Sequence, residues 1–192
     1  MVNNMDEKII KKIDKTIKYI WKHKMPKEYN DVFLLNEDTM KNVIFYYLRK
    51  YLGNYFYKND IRIFTEFTND KFQDSSYRPD IIIAKMDFNK DTKYFSGCID
   101  KLLCVFELKY KSGFNPSNDI YNDFEKLKTY VNELKIDCPL YMATIWEYED
   151  KETSWERKNA AWAKDRLTEL NASYEPGTQN MRFYISEHMK NK

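Results

Sequence analysis

The chain has 192 residues, 43% hydrophobic and 17% aromatic, with only four glycines, which suits one ordered domain with a substantial core and excludes a disordered tail. Lysine and arginine number 32 against 30 aspartate and glutamate, so net charge argues neither for nor against nucleic acid; a basic surface has to come from segregation. No apolar run reaches membrane-spanning length, the polar, lysine-rich start reads as no signal peptide, and Cys98, Cys104 and Cys138 lack metal-type spacing, as expected of reduced thiols in a cytoplasmic protein.

Residues 5–23 place Ile9, Ile10, Ile13, Ile17, Ile20 and Trp21 at helical spacing, with lysines on the other face. That face reads as solvated, with phosphate contact the sharper alternative. Lys24 to Asn30, carrying Pro26, ends the helix. A second helix is expected from Glu37 to Tyr51, capped by Asn36 with Thr39 three residues on and stopped by Gly53. Met40, Ile44, Tyr47, Leu48 and Tyr51 form its apolar stripe, and Glu37 lies one turn before Met40 on it. Ile61 to Thr68 alternates with period two, a strand carrying Glu66, and 69–77 is a polar loop.

Two further strands organise the chain. Arg78 to Ala84 opens on Asp80 before an isoleucine run, and Cys104 to Tyr110 holds Glu107 and Lys109 in an apolar segment. Unpaired buried charge is expensive, so these three groups should meet one another, water or a metal. Glu107 and Lys109 point to one face by alternation. If the strands pair antiparallel across the polar connection 88–99, Asp80 falls opposite their end. Two carboxylates and a lysine then converge at one sheet edge; their hard oxygens suit Mg²⁺ or Mn²⁺ and not zinc.

Beyond a loop through Pro116, a helix from Asn118 sets Asp123, Lys126 and Tyr130 on one face, Tyr130 reading as core packing. Cys138 to Trp146 is nearly all apolar, as in a central strand covered on both faces, and Glu147 to Glu152 is its charged exit. Ser154 to Leu170 reads as a helix with Trp155, Ala161, Trp162 and Leu167 inward, 171–180 as a turn, and Met181 to Ile185 as a last strand. The expected order is α-α-β-β-β-α-β-α-β, an α/β mixed sheet flanked by helices.

The pattern Pro79-Asp80 … Glu107-Leu108-Lys109 resembles the PD-(D/E)XK nuclease superfamily, over residues 60–148. The resemblance implies a restriction-endonuclease-like core at 60–148, with N-terminal helices in 1–55 and a C-terminal helix and strand in 152–192, all one domain. It implies a metal held by Asp80, Glu107 and the backbone carbonyl of Leu108, with Lys109 acting on the attacking water or on developing charge. Many members carry an extra acid, for which Glu37 and Glu66 are both candidates. Some carry Gln-x-x-x-Tyr on the following helix; here Lys126 stands in the glutamine position, a departure from that branch, and could face the scissile phosphate. The implied reaction is phosphodiester hydrolysis, in DNA because the superfamily usually cuts DNA, by a homodimer or with a partner protein, and with no membrane. A non-catalytic nucleic-acid-binding or regulatory protein of the same fold is the alternative, and an ion network at a strand edge the plain one. Only two histidines are present, without a nucleophile motif, and there is no Walker loop or dinucleotide fingerprint.

Overall fold

The computed structural model describes residues 4–68, 72, 77–112, 118–149, 154–156 and 160–188. The chain reads α1 (Asn4–His23), α2 (Met25–Asn30), α3 (Glu37–Lys58), β1 (Ile61–Thr65), β2 (Ile81–Met86), β3 (Ile99–Lys111), α4 (Asn118–Asn132), β4 (Leu140–Glu149), β5 (Leu167–Tyr174) and β6 (Met181–Glu187). The strands form one six-stranded sheet in sequential order. The pairs β1–β2, β2–β3 and β5–β6 are antiparallel, and β3–β4 and β4–β5 are parallel. This is an α/β fold with a mixed sheet flanked by helices.

Alternation along the strands sends two apolar sets to opposite faces. Ile81, Ile83, Phe106, Leu108, Tyr141 and Ala143 meet the N-terminal helices through residues such as Ile17, Trp21, Ile44 and Leu48. Ile82, Val105, Leu140 and Met142 meet Phe124, Leu127 and Tyr130 of α4. Ile9, Ile13, Ile17, Ile20 and Trp21 of α1 are all but fully buried, about 1.5–3 kcal/mol for each large side chain, so tertiary packing holds this lysine-rich helix.

Several local expectations are corrected. Pro26 does not end helical structure outright; it sits in the first turn of the short α2, where its missing N–H is no loss. The helix expected to stop at Gly53 continues to Lys58, because Leu52 and Phe56 extend the buried stripe while Tyr51 faces out. Its start is as expected: Thr39 N–H donates to Asn36 Oδ1 at 2.9 Å and Asn36 N–H to Thr39 Oγ1 at 3.0 Å, a capping box. The strand expected to reach Thr68 ends at Thr65, where Glu66 adopts φ 51°.

The largest correction is C-terminal. No helix occupies the described part of 154–170; β5 takes the end of that expected helix and the first four residues of the expected turn, its first seven residues buried, and the chain turns only over 175–180. Glu169, Asn171 and Ser173 read as helix and turn residues, yet they are buried strand positions. Glu169 makes this tolerable by accepting from Ser154 Oγ at 2.6 Å, Trp155 N–H at 2.7 Å and Asn171 Nδ2 at 3.1 Å, and by contacting His188 Nε2 at 2.7 Å. Most of the polar loop 69–77, the loop from Gly113 to Pro116 and the charged exit 150–152 lie outside the described residues.

Candidate active site

The sheet itself builds the site. β2 and β3 pair with Ile81 opposite Phe106, so the next residues out, Asp80 and Glu107, face each other where β2 ends. β3 runs on past that end beside β4, pairing Glu107 with Met142 and Lys109 with Thr144. Glu107 and Lys109 share the α4 face with Val105, and Asp80 shares it with Ile82. Beyond the last β2 partner, Leu108 N–H turns to the Asp80 carboxylate, donating to Oδ2 at 2.7 Å. An extended residue sends N–H and C=O to the same side, so the Leu108 carbonyl also faces the Asp80 edge.

α4 covers this end as the crossover between two parallel strands, so it runs antiparallel to β3. Two strand residues advance about 6.7 Å and four helical residues about 6 Å, so the two elements stay in step. Lys109 Nζ therefore meets Asp123 Oδ2 at 2.9 Å, while Glu107 meets Lys126 Nζ at 2.6 Å through Oε2 and Tyr130 OH at 2.7 Å through Oε1. Lys126 Nζ also donates to Arg78 O at 2.8 Å and Tyr130 OH approaches Tyr77 O at 2.9 Å, pinning the segment before Asp80.

Glu37 and Glu66 part company here. Glu37 Oε2 lies 3.3 Å from Lys109 Nζ, within the cluster. Glu66 pairs instead with Lys41 at 2.5 Å and Arg78 at 2.7 Å. The positive φ of Glu66 is costly for a residue with a Cβ, and its N–H still donates to Asp80 O at 3.0 Å. This kink ends the regular strand just where Asp80 begins the site.

Charge in the site is strained toward neutral carboxyls. Burial pushes Asp80 up to about 6, the Leu108 N–H opposes the rise, and the charge of Glu37 adds to it. Burial also raises Glu107 well above the carboxylate range, with Asp80 adding to the effect and Lys126 opposing it. Asp123 is raised by burial against the pull of Lys109. Burial works against the charge of Lys109, but Asp123 and Glu37 outweigh it and hold the ammonium above the usual lysine range.

The structure thus brings Asp80, Glu107, Lys109, Glu37 and Lys126 together and sets Glu66 at the margin. Asp123 and Tyr130 were not among the expected site residues. Their shared helix face with Lys126 was the available signal; Tyr130 is core packing against Phe72 with its hydroxyl on a site carboxylate. Lys41 was unmarked, its side chain nearly buried between Asp38 and Glu66.

Asp80, Glu107 and the Leu108 carbonyl are the hard oxygens that could hold a divalent cation. Both carboxylates are raised by burial with like charge adding to it, which a cation would relieve. Among the described residues, no group of three or more His, Cys, Asp or Glu side chains is arranged to hold a metal ion. Lys126 supplies the positive charge beside Glu107. No protein-family model, curated protein or solved structure matches the chain.

Proposed function

We propose that the chain is a metal-dependent nuclease of the PD-(D/E)XK type, hydrolysing phosphodiester bonds, with DNA as the substrate. One observation carries the reading: Asp80 opposite Glu107 at the end of β2, with Lys109 on the same face one step further along β3. Asp80, Glu107 and the Leu108 carbonyl would hold Mg²⁺ or Mn²⁺, which supplies an acidified water and charge neutralisation at the phosphoryl oxygens.

The side chains divide the remaining work. Lys109, held as an ammonium by Asp123 and Glu37, cannot accept a proton; it stabilises negative charge developing on the phosphate. Glu37 and Asp123 position it. Tyr130 orients Glu107, and Lys126 compensates the Glu107 charge and anchors the Arg78 carbonyl.

A second reading has its own observation. Both Glu107 oxygens are already engaged, by Tyr130 and Lys126, as in a site closed by its own side chains. That favours a nuclease-fold protein that binds or regulates without cutting. Cleavage of single- and double-stranded DNA and of RNA with Mg²⁺, Mn²⁺ or EDTA separates the two, with Lys109→Ala in parallel. Metal-dependent cutting that falls about 10²- to 10³-fold in the variant supports catalysis. Cutting unaffected by the variant refutes this site, and metal-independent binding without cutting selects the second reading.

A further inference from the structure

We infer that the groove between α3 and the free edge of β1 is a track for the phosphates of a nucleic-acid strand. The inference rests on the nuclease reading only for its direction toward the site. The groove encloses about 610 Å³ and is lined by Arg49, Lys50, Asn54, Tyr57, Arg62 and Phe64 over an apolar floor, with no acidic side chain. That is the segregated charge a near-neutral chain needs to hold a polyanion.

These cations are held differently from the lysines of the site. Lys41, Lys109 and Lys126 each meet a carboxylate. Arg49, Lys50 and Arg62 have no carboxylate partner among the described residues; they lie over aromatic rings instead. The Arg62 guanidinium sits 5.6 Å from the Tyr57 ring centre and 5.2 Å from that of Phe88, Lys50 lies 5.3 Å from Tyr46, and Arg49 5.9 Å from Phe45. Rings orient a cation without neutralising it, so the charge stays available to phosphate, and exposed Tyr57 and Phe88 offer faces for bases.

Geometry connects the groove to the site. Arg62 is four residues from Glu66, roughly 13 Å along an extended chain, and the Glu66 N–H bonds the Asp80 carbonyl. A strand lying over Arg62 needs only a few nucleotides to reach Asp80. The same groove borders a free sheet edge, where an acidic peptide could add as a strand. Against that occupant, Arg62 Nη1 donates to Ile61 O at 2.8 Å, and charge on an edge strand is a device that blocks pairing.

The test is binding of labelled single- and double-stranded DNA to the full chain in EDTA, with a polyglutamate peptide as competitor. The groove variant Arg49→Ala/Lys50→Ala/Arg62→Ala is compared with Lys8→Ala/Lys11→Ala/Lys15→Ala, which removes equal charge from α1, and thermal melting verifies both folds. The groove variant should bind at least about tenfold more weakly, with a salt dependence shallower by about two on the log–log slope, while the α1 variant changes little. Equal losses in the two variants, an unchanged groove variant, or preferential groove-dependent polyglutamate binding would overturn the inference. Mg²⁺-dependent cleavage by wild type alongside unchanged binding by the groove variant removes the groove and leaves the nuclease. Groove-dependent binding with no cleavage under any metal removes the nuclease and leaves the groove.

Discussion

Lys126 Nζ and Glu107 Oε2 lie 2.6 Å apart, an ion pair between α4 and β3 whose carboxylate is 1% exposed. The pair joins the helix that covers the site to the strand that carries it. Burial and the neighbouring Asp80 already raise the Glu107 carboxyl, so its charge depends on this lysine.

Lys126→Met should therefore destabilise the fold by about 3–5 kcal/mol near neutral pH, since it strands a buried anion. Glu107 then takes up a proton more readily in the folded state than in the unfolded one. A folded carboxyl pKa above the unfolded value means stability falls as pH rises between them, so the deficit should be larger at about pH 8 than at about pH 5. Adding Glu107→Gln should restore most of the loss. Urea melts of the four-member cycle measure this, and a pH-independent deficit unrelieved in the double variant would refute the pairing account.

Glu37 and Glu66 make opposite predictions. Glu37→Gln removes one of two carboxylates around Lys109, so it should reduce cleavage, by about tenfold or more for a positioning contact. Glu66→Gln loosens the Lys41 and Arg78 contacts at the margin and should mainly lower the melting temperature. Single-turnover rates and melts on both variants decide it; a larger rate loss for Glu66→Gln would reverse the assignment.

Asp80 carries a penalty that follows its titration. With the carboxyl raised from 3.8 to about 6, the folded state is penalised once pH climbs through about 6 and is unpenalised below the unfolded value. Asp80→Asn keeps an acceptor for the Leu108 N–H, so it should stabilise the protein at about pH 8, by at most about 3 kcal/mol, and lose that advantage in acid. Mg²⁺ should raise the wild-type melting temperature, by about 2.7 kcal/mol of stability at a hundredfold excess over its dissociation constant, and leave Asp80→Asn unmoved. Equal Mg²⁺ responses in the two proteins would rule out Asp80 as a ligand.

Gly53 lies inside α3, and a Cβ there meets nothing within 4 Å. Gly53→Ala should stabilise by about 0.5–1 kcal/mol through helix propensity alone. Thermal melts check it, and a loss of stability would mean that the helix is not continuous through this position.

Features that depend on neighbours along the chain were legible in the residues alone. A β-branched isoleucine run bounded by turn-forming residues marked β2, and alternation along the segment around Glu107 put Glu107 and Lys109 on one face, as the register places them. The cap Asn36 and the stripes of α1 and α4 were readable for the same reason: each is a local pattern of burial and hydrogen bonding. Tertiary structure decided the rest. Gly53 weakens an isolated helix, but packing of Leu52 and Phe56 outweighs the local preference. Glu169, Asn171 and Ser173 have turn and helix propensities and no local reason to lie in a buried strand. They do so because β4 offers a parallel ladder and because Ser154, Trp155 and His188, distant in sequence, satisfy the Glu169 carboxylate. The choice between Glu37 and Glu66 was closed to sequence for a related reason. It turns on a single positive φ at Glu66 and on how far the first turn of α3 reaches around the sheet to Lys109, both set by packing across the whole molecule.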